Sequence, residues 1–189
     1  MSGIPIAFRL TYEDYLALPE GAAYEILEGD LRMTPAPGIR HQRAVGKLFK
    51  ILEAHINPGN LGEVFTAPVD VILAEETVVQ PDLVFVSDAR RGLVQERGIF
   101  GAPDLMAEVL STASQRVDRV IKHRLYGRHG VSEFWLVDPE AESIDVFIPG
   151  GEETGYIKQG QYTGKDEVRS RVLPALRFTA SEIFGGLRS

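Results

Sequence analysis

The stretch VVQPDLVFVSD, residues 78 to 88, places a carboxylate at the mouth of an apolar run. Residues 82–86 are rich in Val, Leu and Phe and read as a short buried strand in which Asp82, Val84 and Val86 share one face, because strand side chains alternate. A second strand, 104–110, puts Asp104, Met106, Glu108 and Leu110 on one face. Glu108 is its odd member, since LMAEVL otherwise reads as core. A buried carboxylate without a partner is costly, so Glu108 must be neutral, paired or bound to a cation. If the two strands are neighbours, Asp82 and Glu108 converge. A sparse pair of hard oxygen ligands suits Mg²⁺, which takes one or two carboxylates and keeps several waters.

Outward from these strands the elements alternate in kind. Thr11 followed by Asp14 is a capping-box variant that opens a short helix ending before Pro19, and YEILEGDLRMTP forms two strands around Glu28-Gly29-Asp30. Val45, Leu48, Phe49 and Leu52 at helical spacing predict a helix from about 41 to 55. Strands follow near 62–66 and 69–73, the segment 89–100 reads as a loop with a helical turn, and Ser111-Thr112-Ala113-Ser114 leads into a helix of about 115–129. On that helix Val117, Val120, Ile121 and Leu125 form the apolar stripe, and Asp118, Lys122 and Tyr126 run along its border. Strands 133–138 and 143–149, a hairpin near 155–170 and the closing segment LRFTASEIF complete the chain. The pattern predicts an α/β (α+β) fold, a central mixed sheet of strands 69–73, 82–86, 104–110 and 133–138 flanked by helices.

With 189 residues, no repeat and no linker, the chain reads as a single domain spanning 1–189, its core at about 10–180. No apolar run reaches the ~20 residues that cross a bilayer, and MSGIPIAFRL lacks the regions of a signal peptide, so no membrane association and a cytoplasmic location are expected. The absence of cysteine excludes disulfides, thiol catalysis and thiolate metal sites. A net charge of −7 argues against bulk attraction to nucleic acid. Basic residues nevertheless cluster: Arg40, Arg43, Lys47 and Lys50 on one helix, and Arg116, Arg119, Lys122, Arg124 and Arg128 on the other. Each cluster is either a solvated helix face or a local phosphate-binding strip.

Pro81-Asp82 followed by Glu108-Val109-Leu110 resembles the PD-(D/E)XK nuclease superfamily, the restriction-endonuclease-like fold. YEILEGDLR, RHQRAVGKL, VVQPDLVFVSD, AEVLSTAS, DRVIKHRLYGRHGVSEFWLVDPE and the SIDVF strand together resemble a large bacterial family within it, over about residues 10 to 180. The superfamily's lysine stands two residues after the glutamate, where this chain has Leu110. In this branch it is carried by the next helix, and DRVIKHRLY places it at Lys122. The resemblance implies an endonuclease acting on nucleic acid, DNA foremost, in which Asp82, Glu108 and the carbonyl of Val109 hold Mg²⁺ or Mn²⁺. Lys122 then orients water and stabilises developing charge.

Glu25 resembles the N-terminal acid that often joins such a site; the alternative is an edge-strand glutamate facing solvent. His41 and Gln42, at a helix start that favours anions, and Arg119 are candidate phosphate contacts. Asp70 also matches the family or is an ordinary strand residue. Trp135 and Tyr126 read as core aromatics, and His55, His123 and His129 have no metal-ligand spacing. Two rival classes stand beside the enzyme. One is a degenerate nuclease fold that binds nucleic acid or protein without cutting. The other is an interaction protein whose carboxylates merely pair with Lys or Arg, marked by a salt bridge filling the pocket. Cleavage of both strands by a one-site domain suggests a homodimer, with LRFTASEIF or SIDVFIP as the contact.

Overall fold

A computed structural model describes residues 8–19, 23–34, 36–112, 114–150 and 155–186. The signal-peptide reading of the first residues and the turn position Ala113 therefore lie wholly or partly outside the described residues. Helix α1 (Tyr12–Leu16) starts at the expected capping box, with the Asp14 carboxylate accepting from the Thr11 amide at 2.8 Å. Strands β1 (Tyr24–Leu27) and β2 (Asp30–Met33) join through Glu28 and Gly29, whose φ values of 52° and 87° suit a tight hairpin turn. Helix α2 (Ile39–Ile56) buries Ala44, Val45, Leu48, Leu52 and Ile56 on one face.

The next strands are β3 (Gly62–Thr66), β4 (Val71–Ala74), β5 (Thr77–Val79), β6 (Leu83–Ser87), β7 (Val94–Gln95), β8 (Gly98–Phe100) and β9 (Leu105–Val109). A π-helical stretch, Val117–Lys122, runs into α3 (His123–Arg128). Strands β10 (Glu133–Asp138), β11 (Ser143–Pro149) and β12 (Tyr156–Thr163) and helix α4 (Ala180–Phe184) follow. They build two mixed six-stranded sheets, ordered β2-β1-β5-β4-β8-β7 and β12-β11-β10-β9-β6-β3. In the second sheet β9 and β10 are parallel and the other pairs antiparallel.

The layers follow from which faces are apolar. One face of the second sheet, through Leu83, Phe85, Ala107, Val109, Trp135 and Val137, packs on α2 and on the C-terminal residues Phe178, Ile183 and Phe184. The opposite face, through Val84, Met106, Phe134 and Leu136, meets Leu125 and Tyr126 of α3 and Val71, Val79 and Ile99 of the first sheet. Ile26, Ile72 and Val78 form a smaller cluster with Tyr12 and Tyr15. Gly62 shows how tightly β3 meets β6: its φ is +148°, and an added Cβ would stand 2.1 Å from the Val86 carbonyl oxygen.

The α+β class and the flanking helices agree with the sequence reading, and several local expectations change: the segment 89–100, read as a loop with a helical turn, also carries β7 and β8. The strand predicted at 69–73 is β4 and belongs to the first sheet, because its short apolar run pairs with β5 and β8. The tail does not form its own hairpin: β12 pairs with β11, and beyond it, among the described residues, a single bridge joins Glu167 to Thr179. The two segments expected to form a dimer contact are consumed within the chain. SIDVFIP is interior to its sheet, and LRFTASEIF supplies Leu176, Phe178, Ile183 and Phe184 to the core.

Candidate active site

Strands β6 and β9 are antiparallel neighbours with Leu83 opposite Ala107 and Val84 opposite Met106. One step further along that register, Asp82 faces Glu108 across the ends of the two strands. The Asp82 carboxylate is fixed there by the Val109 amide, which donates to Oδ2 at 2.7 Å, and by His41 Nε2 at 3.0 Å. Both contacts fall on one oxygen, and among the described residues Oδ1 has no hydrogen bond. A carboxylate oxygen only accepts, so His41 carries its proton on Nε2. Its other nitrogen, Nδ1, is buried without a partner.

Glu108 is 3% exposed. Its Oε1 accepts from Lys122 Nζ at 3.0 Å and from the Tyr126 hydroxyl. Lys122, 4% exposed, also lies 2.8 Å from Glu25 Oε1 and 3.7 Å from Asp118 Oδ1. Glu25 is buried rather than solvent-facing, since β1 lies between β2 and β5, and it accepts from the Gln80 amide at 2.8 Å. One ammonium thus serves three buried carboxylates, with Asp82 close enough to act on the same charges. Desolvation, then the charges of Asp118, Asp82 and Glu25, holds the Glu108 carboxyl well above the usual carboxylate range despite Lys122. Burial likewise raises Asp118. For Lys122 desolvation pulls downward, but Glu108, Glu25 and Asp118 together win and keep the ammonium charged.

The π-helical stretch orients this cluster. The helical wheel leaves Lys122 on the border of an apolar stripe containing Val120. The structure instead buries Asp118, Lys122 and Tyr126 and leaves Val120 62% exposed. Wider winding over Val117–Lys122 turns the polar edge inward, and π segments of this kind are frequent at functional sites.

His41, Asp82, Glu108, Val109, Asp118 and Lys122 line a cleft of about 310 Å³ that also includes Gln42, Ser111, Ser114 and Thr34. His41, Gln42, Asp82, Glu108, Val109 and Lys122 are therefore brought together. Arg119 lies elsewhere, paired with Asp138. Asp70 accepts from the Tyr15 hydroxyl at 2.7 Å and from Gln80 Nε2 at 2.8 Å, on the wall of an adjoining groove. Trp135 is core as expected, its indole donating to Glu133 at 2.6 Å. Tyr126 is core as well, yet its hydroxyl serves the site. Its place four residues after Lys122 was the available signal, masked by its aromatic ring.

Among the described residues no group of three or more His, Asp or Glu side chains forms a ready metal cage. The donors still fit a hard divalent ion of the sparse kind. They are oxygen atoms, and the cluster of Glu25, Glu108, Asp118 and Asp82 carries more negative charge than Lys122 can balance.

An aspartate and a glutamate at adjoining strand ends, with a buried lysine from the next helix, is the arrangement that the resemblance to restriction-endonuclease-like nucleases implies. The family model Uma2, described as "Putative restriction endonuclease", matches residues 12–181, and the chain belongs to that family. Among solved structures it is similar to one described as a putative nuclease belonging to DUF820 from Anabaena variabilis ATCC 29413. The TM-score is 0.79 at 20% identity, covering 95% of this chain and 99% of the other. No curated protein matches.

Proposed function

We propose that the chain is a Mg²⁺- or Mn²⁺-dependent endonuclease that hydrolyses phosphodiester bonds of nucleic acid, DNA foremost, in the cytoplasm. The observation that carries this reading is that Asp82 and Glu108 line one cleft beside Lys122, within a cluster of carboxylates that outnumbers it. Asp82, Glu108 and the Val109 carbonyl would hold the ion, which when bound supplies Lewis-acid polarisation of the scissile phosphate and a more acidic water. The protein's own groups do the rest. His41 and the Val109 amide lock one oxygen of Asp82 and so direct the other. Lys122 supplies positive charge toward a developing phosphorane and a proton donor that orients water. Glu25 and Asp118 keep that ammonium charged, and the Tyr126 hydroxyl fixes Glu108.

One observation favours the rival interaction protein whose carboxylates merely pair, because Lys122 does form a salt bridge with Glu108 inside the pocket. Partial neutralisation supports the enzyme instead: one lysine cannot satisfy three carboxylates, and Asp82 has no Lys or Arg partner among the described residues. A Mg²⁺-dependent cleavage assay on supercoiled, linear and single-stranded DNA and on RNA tests the proposal. Cleavage that is absent from every substrate, together with no calorimetric Mg²⁺ binding, would leave the binding module as the reading.

A further inference from the structure

Beyond Lys122 the cleft opens into a second cavity of about 370 Å³, lined by Arg32, Met33 and Glu25 and sharing Thr34, Ser114, Asp118 and Lys122 with the first. The β1–β2 register sets Arg32 directly opposite Glu25, so both side chains stand on the face that looks toward Lys122. An arginine beside a buried glutamate is ordinarily its counter-ion. Here Glu25 Oε1 is already taken by Lys122 and the Gln80 amide. Among the described residues Arg32 makes no ion pair, and its Nε is buried without an acceptor. Other arginines of this chain find carboxylates: Arg124 and Arg128 bind Glu28, and Arg119 binds Asp138.

We infer that Arg32 is a phosphate clamp, holding the phosphate next to the scissile one as a polynucleotide passes from the first cavity over Lys122 into the second. The inference rests on the nuclease reading and deepens it by giving the substrate strand a path. The guanidinium suits the task because its fork of donors matches a phosphate and its charge does not titrate. Glu25 and Asp118 share the same wall, so an anion needs more positive charge there than Lys122 alone supplies. Arg32 provides it, with the hydroxyl of Thr34, which lines the same cavity, as a further donor. A substrate with phosphates on both sides of the cut is thereby preferred over a single terminal diester.

The test uses the full chain with a fluorescently labelled oligonucleotide in Ca²⁺, followed by anisotropy across a salt series, with cleavage kinetics in Mg²⁺ alongside. Arg32→Gln should bind roughly tenfold more weakly and lower the salt slope by about one phosphate contact. It should raise KM more than it lowers kcat, at an unchanged melting temperature. Arg32→Lys should fall between the two. Parent affinity and slope in Arg32→Gln would overturn the clamp while leaving the nuclease reading in place. A loss of affinity that tracks a lowered melting temperature in both variants would make Arg32 a structural residue and overturn it too. If the parent protein binds and cuts no oligonucleotide, the nuclease reading falls and the clamp falls with it.

Discussion

Replacing Lys122 with methionine isolates the charge at the centre of the site. The stem keeps its approximate length, but the one ammonium facing Glu25, Glu108 and Asp118 disappears. Removing one partner from a buried ion pair costs about 3–5 kcal/mol, because the remaining charge is left uncompensated. For a chain of this size each kcal/mol moves the melting temperature by roughly 2–4 °C, so the metal-free variant should melt about 10 °C lower. The loss should depend on pH in a stated direction. Glu108 and Asp118 already have raised carboxyl pKa values through burial, and without Lys122 they rise further. The penalty is then absent in acid, where folded and unfolded chains are both protonated, and it grows as pH rises through and above the usual carboxylate range. Mg²⁺ should bind the variant at least as tightly as the parent and restore part of its stability, while cleavage falls by about 10²–10³. Differential scanning fluorimetry with and without Mg²⁺, beside a plasmid-nicking assay, reads all of this. A variant that cuts at the parent rate, or melts with the parent at neutral pH, refutes the reasoning.

Glu108→Gln keeps the acceptor for Tyr126 and Lys122 but removes the desolvated charge, so stability should hold or rise while calorimetric Mg²⁺ affinity and cleavage both collapse. Parent-like metal binding would remove Glu108 from the ligand set. In the parent, Mg²⁺ affinity should increase from mildly acid to mildly alkaline pH, because the raised Glu108 carboxyl must release a proton to ligate; calorimetry in buffers of different ionisation enthalpy counts that proton, and pH-independent binding would exclude it. Tyr126→Phe leaves the core filled and should cost about 1 kcal/mol while slowing cleavage through a looser Glu108, with an unchanged rate showing that the hydroxyl is only a buried donor. Gly62→Ala forces a Cβ against the Val86 carbonyl at positive φ and should destabilise by about 2–4 kcal/mol in denaturant titration, far from the cleft and without effect on Mg²⁺ affinity.

The meeting of Asp82 and Glu108 in one cleft was legible because strand alternation has a fixed period and an acid in LMAEVL violates it. Glu25 was harder. Its burial depends on β1 lying between β2 and β5, a long-range pairing that no local pattern encodes. The 69–73 strand was found but assigned to the wrong sheet for the same reason, since a short apolar run fits either. The helix after Ser114 misled most: a wheel drawn at 3.6 residues per turn presumes uniform winding, and the π stretch alters the phase between Val117 and Lys122. His41 meeting Asp82 joins the first turn of α2 to a strand end 41 residues away, which is a property of layer packing alone.

The π winding also makes chain length a constrained quantity in a segment whose composition invites the opposite view. Ser, Thr and Ala before a helix ordinarily mark a place where insertions and deletions do little harm. Here one residue inserted between Asp118 and Ile121 would add a further step to a stretch whose π winding already holds more residues per turn than an α-helix. The part preceding the insertion would then swing by about 100° relative to the part that follows. Asp118 and Ser114 would leave the wall they share with Lys122, although every side chain of the cluster remained in the polypeptide. Spacing between Glu108 and Lys122 is therefore as much a determinant of this site as the identity of either residue.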